Sequence, residues 1–164
     1  MNAVKVSIII GSDSDWPVMK PAADTLKRFG VEAEVTVASA HRTPLRVREI
    51  AESAEKNGVG VFIAAAGGAA HLAGVIASYT TLPVIGVPVN ASALNGLDAL
   101  LSTVQMPSGI PVATMAINGA KNAAIFAVQV LAQADEKLRM KLKEYRSNLA
   151  DEVEAKAARV KSQL

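Results

Sequence analysis

Ser39, His41 and Arg42 bring a hydroxyl, an imidazole and a guanidinium into four consecutive positions of a 164-residue chain. A guanidinium matches phosphate or carboxylate with a planar fork of donors. An imidazole is the side chain best suited to exchange a proton near neutral pH. The full run is Ser39-Ala40-His41-Arg42-Thr43-Pro44. It follows a strand-like Val35-Thr36-Val37 and precedes a helix that Thr43 could cap and whose first turn tolerates Pro44. The polar trio is therefore expected in a loop between a strand end and a helix start, where open α/β sheets place ligands. Read alone, the hexapeptide is equally compatible with an ordinary surface turn.

Two further loops have the same character. Gly11-Ser12-Asp13-Ser14-Asp15 leaves a strand and opens a helix. Glycine there permits close backbone approach, and helix-terminal N–H groups attract an anion. Ser12 and Ser14 add donors, while Asp15 would repel bare phosphate but could accept from ribose hydroxyls. A phosphorylated sugar suits this set, although Ser and Asp are also common N-caps. The third loop, Ala66-Gly67-Gly68-Ala69-Ala70-His71-Leu72, is built of small residues that leave room for a flat ring against the backbone. A lone histidine is usually structural, yet both histidines of the chain, His41 and His71, fall on these loops.

The elements that must carry the loops follow from hydrophobic pattern. Strands are expected at Val4–Ile10, Val31–Val37, Val59–Ala65, Val84–Val87 and Val112–Ala116. The first helix has Asp15 as N-cap, Pro17 in its first turn and Gly30 at its stop. Pro44–Asn57, His71–Ser78, Leu94–Val104 and Ala120–Ala132 are the other helices of this part. Strands alternating with helices give an α/β fold, a flavodoxin-like three-layer sandwich with a five-stranded parallel sheet in the order 2-1-3-4-5. That order gathers all three loops at the carboxyl edge around strand one. Residues 1–134 form this domain. Residues 135–164 are highly charged, with Leu138, Leu142, Tyr145, Leu149, Val153 and Val160 spaced by threes and fours apart from one longer gap. They read as a long amphipathic helix. At about 40 Å it exceeds the span of one small sheet, so packing on neighbouring subunits is expected.

Composition narrows the classes. Hydrophobic residues are 51% of the chain and aromatics 4%, so the core is aliphatic. The absence of cysteine rules out disulfides and thiolate chemistry and fits a reducing compartment, the cytoplasm. Two histidines make a His-rich metal site a poor expectation. A net charge of +2 without a basic stripe argues against nucleic acid. Met1-Asn2-Ala3-Val4-Lys5 runs straight into the first strand, so no secretory leader is expected. Between Lys56 and Lys121, Asp98 is the only charged residue. Val59–Ala77 could be taken for a membrane span, but Gly67, Gly68, His71 and Gly74 interrupt it. So uncharged a middle third should be covered on most sides, which implies a homo-oligomer.

Four motifs in order resemble the N5-carboxyaminoimidazole ribonucleotide mutases of purine biosynthesis: Gly11–Trp16, Ser39–Pro44, Gly67–Leu72 and Gln105–Pro111. The related animal aminoimidazole ribonucleotide carboxylases carry Ser-Ala-His-Lys-Gly-Pro and a Gly-Arg-Ser-Asn loop where this chain has Arg42-Thr43 and Gly68-Ala69-Ala70-His71, so the likeness is to the mutase branch. The resemblance implies an octamer with sites at subunit contacts and a reaction without metal or organic cofactor. It also implies site roles. Ser12, Asp15, Ser39 and Arg42, with Ser14 beside them, would hold the ribose phosphate, and His41 would shuttle the proton. Ala66, Gly67, His71 and Leu72 would surround the imidazole and its carboxylate. The chain departs from the pattern at Ala73, at Asn90 and in a short Ile117–Asn122 segment. Two rivals stay open: a carboxylase taking CO2 directly, and a non-catalytic nucleotide-binding or phosphoreceiver module. A receiver needs an aspartate at the end of strand three, where Ala64-Ala65-Ala66 stands.

Overall fold

The computed structural model describes residues 4–163, so the reading of Met1–Ala3 as leading into a strand lies outside the described residues. Five parallel strands, β1 (Lys5–Ile10), β2 (Ala33–Val37), β3 (Val59–Gly67), β4 (Val84–Val89) and β5 (Ala113–Thr114), form one sheet in the order β2-β1-β3-β4-β5. The helices are α1 (Trp16–Phe29), α2 (Pro44–Ser53), α3 (Leu72–Tyr79), α4 (Leu97–Val104), α5 (Ala120–Leu131) and α6 (Glu136–Lys161). This is the flavodoxin-like arrangement expected from the sequence.

Alternation along the central strands divides the core into two layers. Val6, Ile8 and Ile10 of β1 and Val61, Ile63 and Ala65 of β3 face α1 and α5, where Met19, Leu26, Ala124 and Val128 are buried. Ile9, Phe62 and Ala64 face the other way, against Val47, Ala51, Leu72 and Ile76 of α2 and α3. Such runs are apolar on both faces because helices cover both sides of the sheet. Gly86 of β4 shows how close α4 lies to that second face. A Cβ there would run into Thr103 Cγ2 and sit 3.0 Å from Val112 Cγ1.

Several boundaries shift from the sequence expectation. β3 and β4 each run two residues further, to Gly67 and Val89, because their carboxyl ends pair with each other, Gly67 opposite Val89. Ala66 and Gly67 are therefore strand, and the third loop begins at Gly68. α4 starts at Leu97, since Asn95 and Gly96 both adopt positive φ, which no helix accommodates. β5 keeps only Ala113 and Thr114 on β4, and α2 stops at Ser53, ahead of a turn to Gly58.

Candidate active site

Because all five strands are parallel, the loops after β1, β2, β3 and β4 emerge on one edge. Between them lies a cleft of about 550 Å³, lined by Ser12, Ser14, Asp15, Ser39, His41, Arg42, Ala66, Gly67 and Leu72 and by their neighbours Gly11, Ala40, Gly68 and Ala69. Nine of the ten side chains expected from the sequence meet there; His71 is the tenth. The remaining lining residue, Ala91, was not anticipated. Its signal was available: it follows β4, the neighbour of β3, at the same edge. A Cβ on Gly67 would stand 2.6 Å from that of Ala91, so only glycine lets the two loops approach.

The first loop is a 3-10 turn, Asp13–Asp15, rather than a direct helix entry. Ser12 is its N-cap: the Ser12 Oγ accepts from Ser14 N, and the Asp15 carboxylate accepts from Ser12 N at 3.1 Å. Asp15 therefore closes a capping box instead of capping α1, to which its side chain makes no cap bond. Its residue is only 5% exposed. Burial raises the Asp15 carboxyl above the ordinary aspartate range, with the Ser12 and Gly11 N–H groups and Arg42 opposing and Asp13 adding to the rise. A folded-state value above the unfolded one favours the protonated carboxyl in the fold. The stability it contributes is complete below the ordinary aspartate value and is lost as pH rises through the raised one. Comparing melting temperatures of the parent and Asp15→Asn from about pH 3 to 7 should show the difference moving in the variant's favour with rising pH. A difference constant with pH would contradict it.

The second loop is held by its own hydroxyls. Thr43 is the N-cap of α2 by position but makes no cap bond. Its Oγ1 instead accepts from Ser39 N at 2.9 Å and donates to Ser39 O at 3.1 Å. Ser39 Oγ in turn accepts from Arg42 N at 3.2 Å. Arg42 reaches across to the first loop, where Nη2 donates to Gly11 O at 3.4 Å. The guanidinium remains exposed, with donors to spare for an anion.

His71 does not line the cleft. Its Nδ1 lies 2.9 Å from His41 Nε2, the rings meeting edge-on at 81°. On its far side is a neighbouring groove lined by Leu101, Gln105, Met106 and Pro107, so the Gln105–Pro111 motif lies outside its own chain's cleft. Two departures from the motif pattern prove to be joined: Asn118 Oδ1 accepts from Asn90 N at 2.9 Å, tying the end of β4 to the β5–α5 turn. Among the described residues, no group of three or more His, Cys, Asp and Glu is placed to hold a metal ion.

The AIR carboxylase family model matches residues 5–152. The chain belongs to the AIR carboxylase family. Within it, the chain is 59% identical over 155 residues to the N5-carboxyaminoimidazole ribonucleotide mutase of Pyrococcus horikoshii, covering 94% of this chain and 88% of that one. Identity to the enzyme of the same name from Thermotoga maritima is 57%, covering 95% and 91%. Among solved structures, that of Treponema denticola PurE superposes with a TM-score of 0.84 at 27% identity, covering 94% of this chain and 96% of that one. The matched family segment contains all four loops of the cleft and ends within α6.

Proposed function

We propose that this chain is an N5-carboxyaminoimidazole ribonucleotide mutase, an isomerase of de novo purine biosynthesis. It moves the carboxyl group from the exocyclic nitrogen to C4 and yields 4-carboxy-5-aminoimidazole ribonucleotide. The observation that carries this reading is the joint placement of His41 and Arg42 in a cleft of small residues, in a chain so similar to enzymes of that name.

The roles follow from chemistry. Arg42, Ser12, Ser14 and Ser39 offer donors to the phosphate, and Asp15 bounds the ribose side. The ring lies against Ala66, Gly67 and Leu72, where small side chains leave space. The His41 imidazolium gives its proton to the exocyclic nitrogen, which turns the carbamate nitrogen into a leaving group. The C–N bond breaks and CO2 is released. C4 of the freed aminoimidazole attacks the CO2 carbon and a C–C bond forms. The C4 proton passes to the now neutral His41, which regains its starting charge. One group that first gives and then takes a proton serves both steps. CO2 must stay beside the ring in the meantime, which favours a closed, water-poor site.

Homo-oligomerisation, as the octamer that the resemblance implies, would supply that closure, and its place is the cytoplasm, with neither nucleic acid nor membrane as partner. One surface feature supports assembly. The outward face of α4 and its lead-in exposes Leu94, Leu97, Leu101 and Val104, each between 46% and 61%. An apolar stripe of that kind marks an interaction surface. No helix among the described residues is long and apolar enough to cross a membrane.

Incubating the purified protein with the carbamate, and separately with aminoimidazole ribonucleotide and bicarbonate, tests the reading. Rapid conversion of the carbamate alone is expected; a requirement for CO2 from solution would make it a carboxylase. Arg42→Lys keeps the charge but loses the fork. Substrate affinity should fall by about 1–3 kcal/mol, measured by calorimetric titration with the product nucleotide. Unchanged affinity would remove Arg42 from the phosphate site.

A further inference from the structure

We infer that His71 is a positioning residue for His41: it fixes which nitrogen of the His41 ring carries the proton. The inference rests on the reading of His41 as the proton carrier. It begins with the 2.9 Å approach of His41 Nε2 to His71 Nδ1. Two ring nitrogens at that separation share one hydrogen. With a hydrogen on each, two N–H groups would point at each other; with none, two lone pairs would. One ring's nitrogen is therefore the donor and the other's the acceptor, and the pair holds at most one positive charge while the bond lasts. When His41 is the cation, His71 must be neutral and accept from Nε2–H.

The setting leaves this task to His71 alone. The charged groups lining the cleft are Asp15 and Arg42. Asp15 is engaged by the Ser12 N–H, and Arg42 is a donor only. The groove on the other side of His71 contains no second titratable side chain among the described residues. His71 also sits at a fixed point of the backbone. It is the N-cap of α3 by position, and its carbonyl accepts from Val75 N at 2.9 Å. Its ring stays outside the cleft, where it can orient His41 without competing for the C4 proton. A carrier that must give a proton and then take one at a nearby atom gains from an imidazole that cannot turn or exchange tautomers between the two steps.

The test uses the ligand-free protein with nitrogen-15-labelled histidine, observed by NMR with the pH raised until the ring nitrogen shifts no longer change, so that both rings are neutral by observation. The parent should show each ring in one tautomer, the bonded nitrogen of one protonated and that of the other bare. His71→Leu removes the partner at similar bulk and should give His41 as a tautomer mixture. His71→Asn places an amide atom where Nδ1 stood and should restore a single tautomer. In turnover assays, His71→Leu should lower kcat by about tenfold or more with KM changed far less, and His71→Asn should recover part of that loss. Mixed tautomers in the parent, or a His71→Leu protein with unaltered tautomer and kcat, overturn the inference. An ordered pair in a protein without mutase turnover would instead overturn the functional reading and leave the pair intact.

Discussion

Replacing His41 with asparagine should leave a protein that binds the nucleotide and barely turns it over. Asparagine approximates the size of the imidazole and retains hydrogen-bonding capacity, but it cannot carry a proton at neutral pH. Ser12, Ser39 and Arg42 are untouched, and the Ser39–Thr43 bonds that shape the loop do not involve the His41 side chain. His41 is exposed, so the change costs the fold little. Turnover should fall by about 10²–10⁴, the usual worth of positioned acid–base catalysis, and further if both proton transfers depend on the one ring. His71 cannot take over, because it does not line the cleft. Where chemistry limits the rate, the pH profile of the parent's activity should carry an ionisation that the residual activity of His41→Asn lacks. The decisive measurement takes binding and turnover from the same preparation. Intact binding with lost turnover supports the mutase mechanism. Lost binding in a folded protein would make His41 a ligand contact. Near-normal turnover would leave the mechanism without a carrier.

Much of this site was legible before the coordinates because parallel strands leave so few options. Once the pattern of Val4–Ile10, Val31–Val37 and Val59–Ala65 is read as buried strands, the order around strand one follows, and with it the meeting of the three loops. What the pattern did not carry was side-chain direction. Asp15 and Thr43 both have the composition and position of helix caps, and both turn elsewhere, Asp15 to Ser12 N and Thr43 to Ser39. Short polar side chains have several local backbone partners of similar energy, and tertiary context chooses among them. The His41–His71 bond was equally hidden, since it joins loops 30 residues apart. The sequence places His71 beside the substrate ring and gives no sign of a contact to His41. Ala91 carries no chemistry of its own; its place after β4, whose Val89 pairs with Gly67, is the signal that brings it to the cleft.

Shortening the chain after Arg146 should break the assembly without breaking the domain. The cut must fall there because α6 is two things in succession. Its first turns belong to its own chain. Asp135 caps it, accepting from Lys137 N and Leu138 N. Leu138 is buried, Leu142 and Tyr145 pack on the core, Tyr145 meets the edge of Phe29, and Lys141 donates to Phe29 O at 2.7 Å. Removing everything after Lys137 would strip these contacts and unsettle the domain itself. Beyond Arg146 the described helix is exposed throughout, with Leu149, Val153 and Val160 at 38%, 61% and 60%. An isolated stretch of that length is marginal as a helix in water, so a neighbour that covers its apolar residues would be what holds it. Full burial of such side chains contributes about 1.5–3 kcal/mol each. Losing even 3 kcal/mol per chain weakens association more than about a hundredfold. Light scattering on the shortened protein at micromolar concentration should therefore report a lower mass, with the circular dichroism of the remaining domain retained. An unchanged mass would free α6 of any part in assembly. The stripe of Leu94, Leu97, Leu101 and Val104 on α4 and its lead-in would then be the surface to test next, with Leu101→Arg expected to dissociate the copies by burying a charge at their contact.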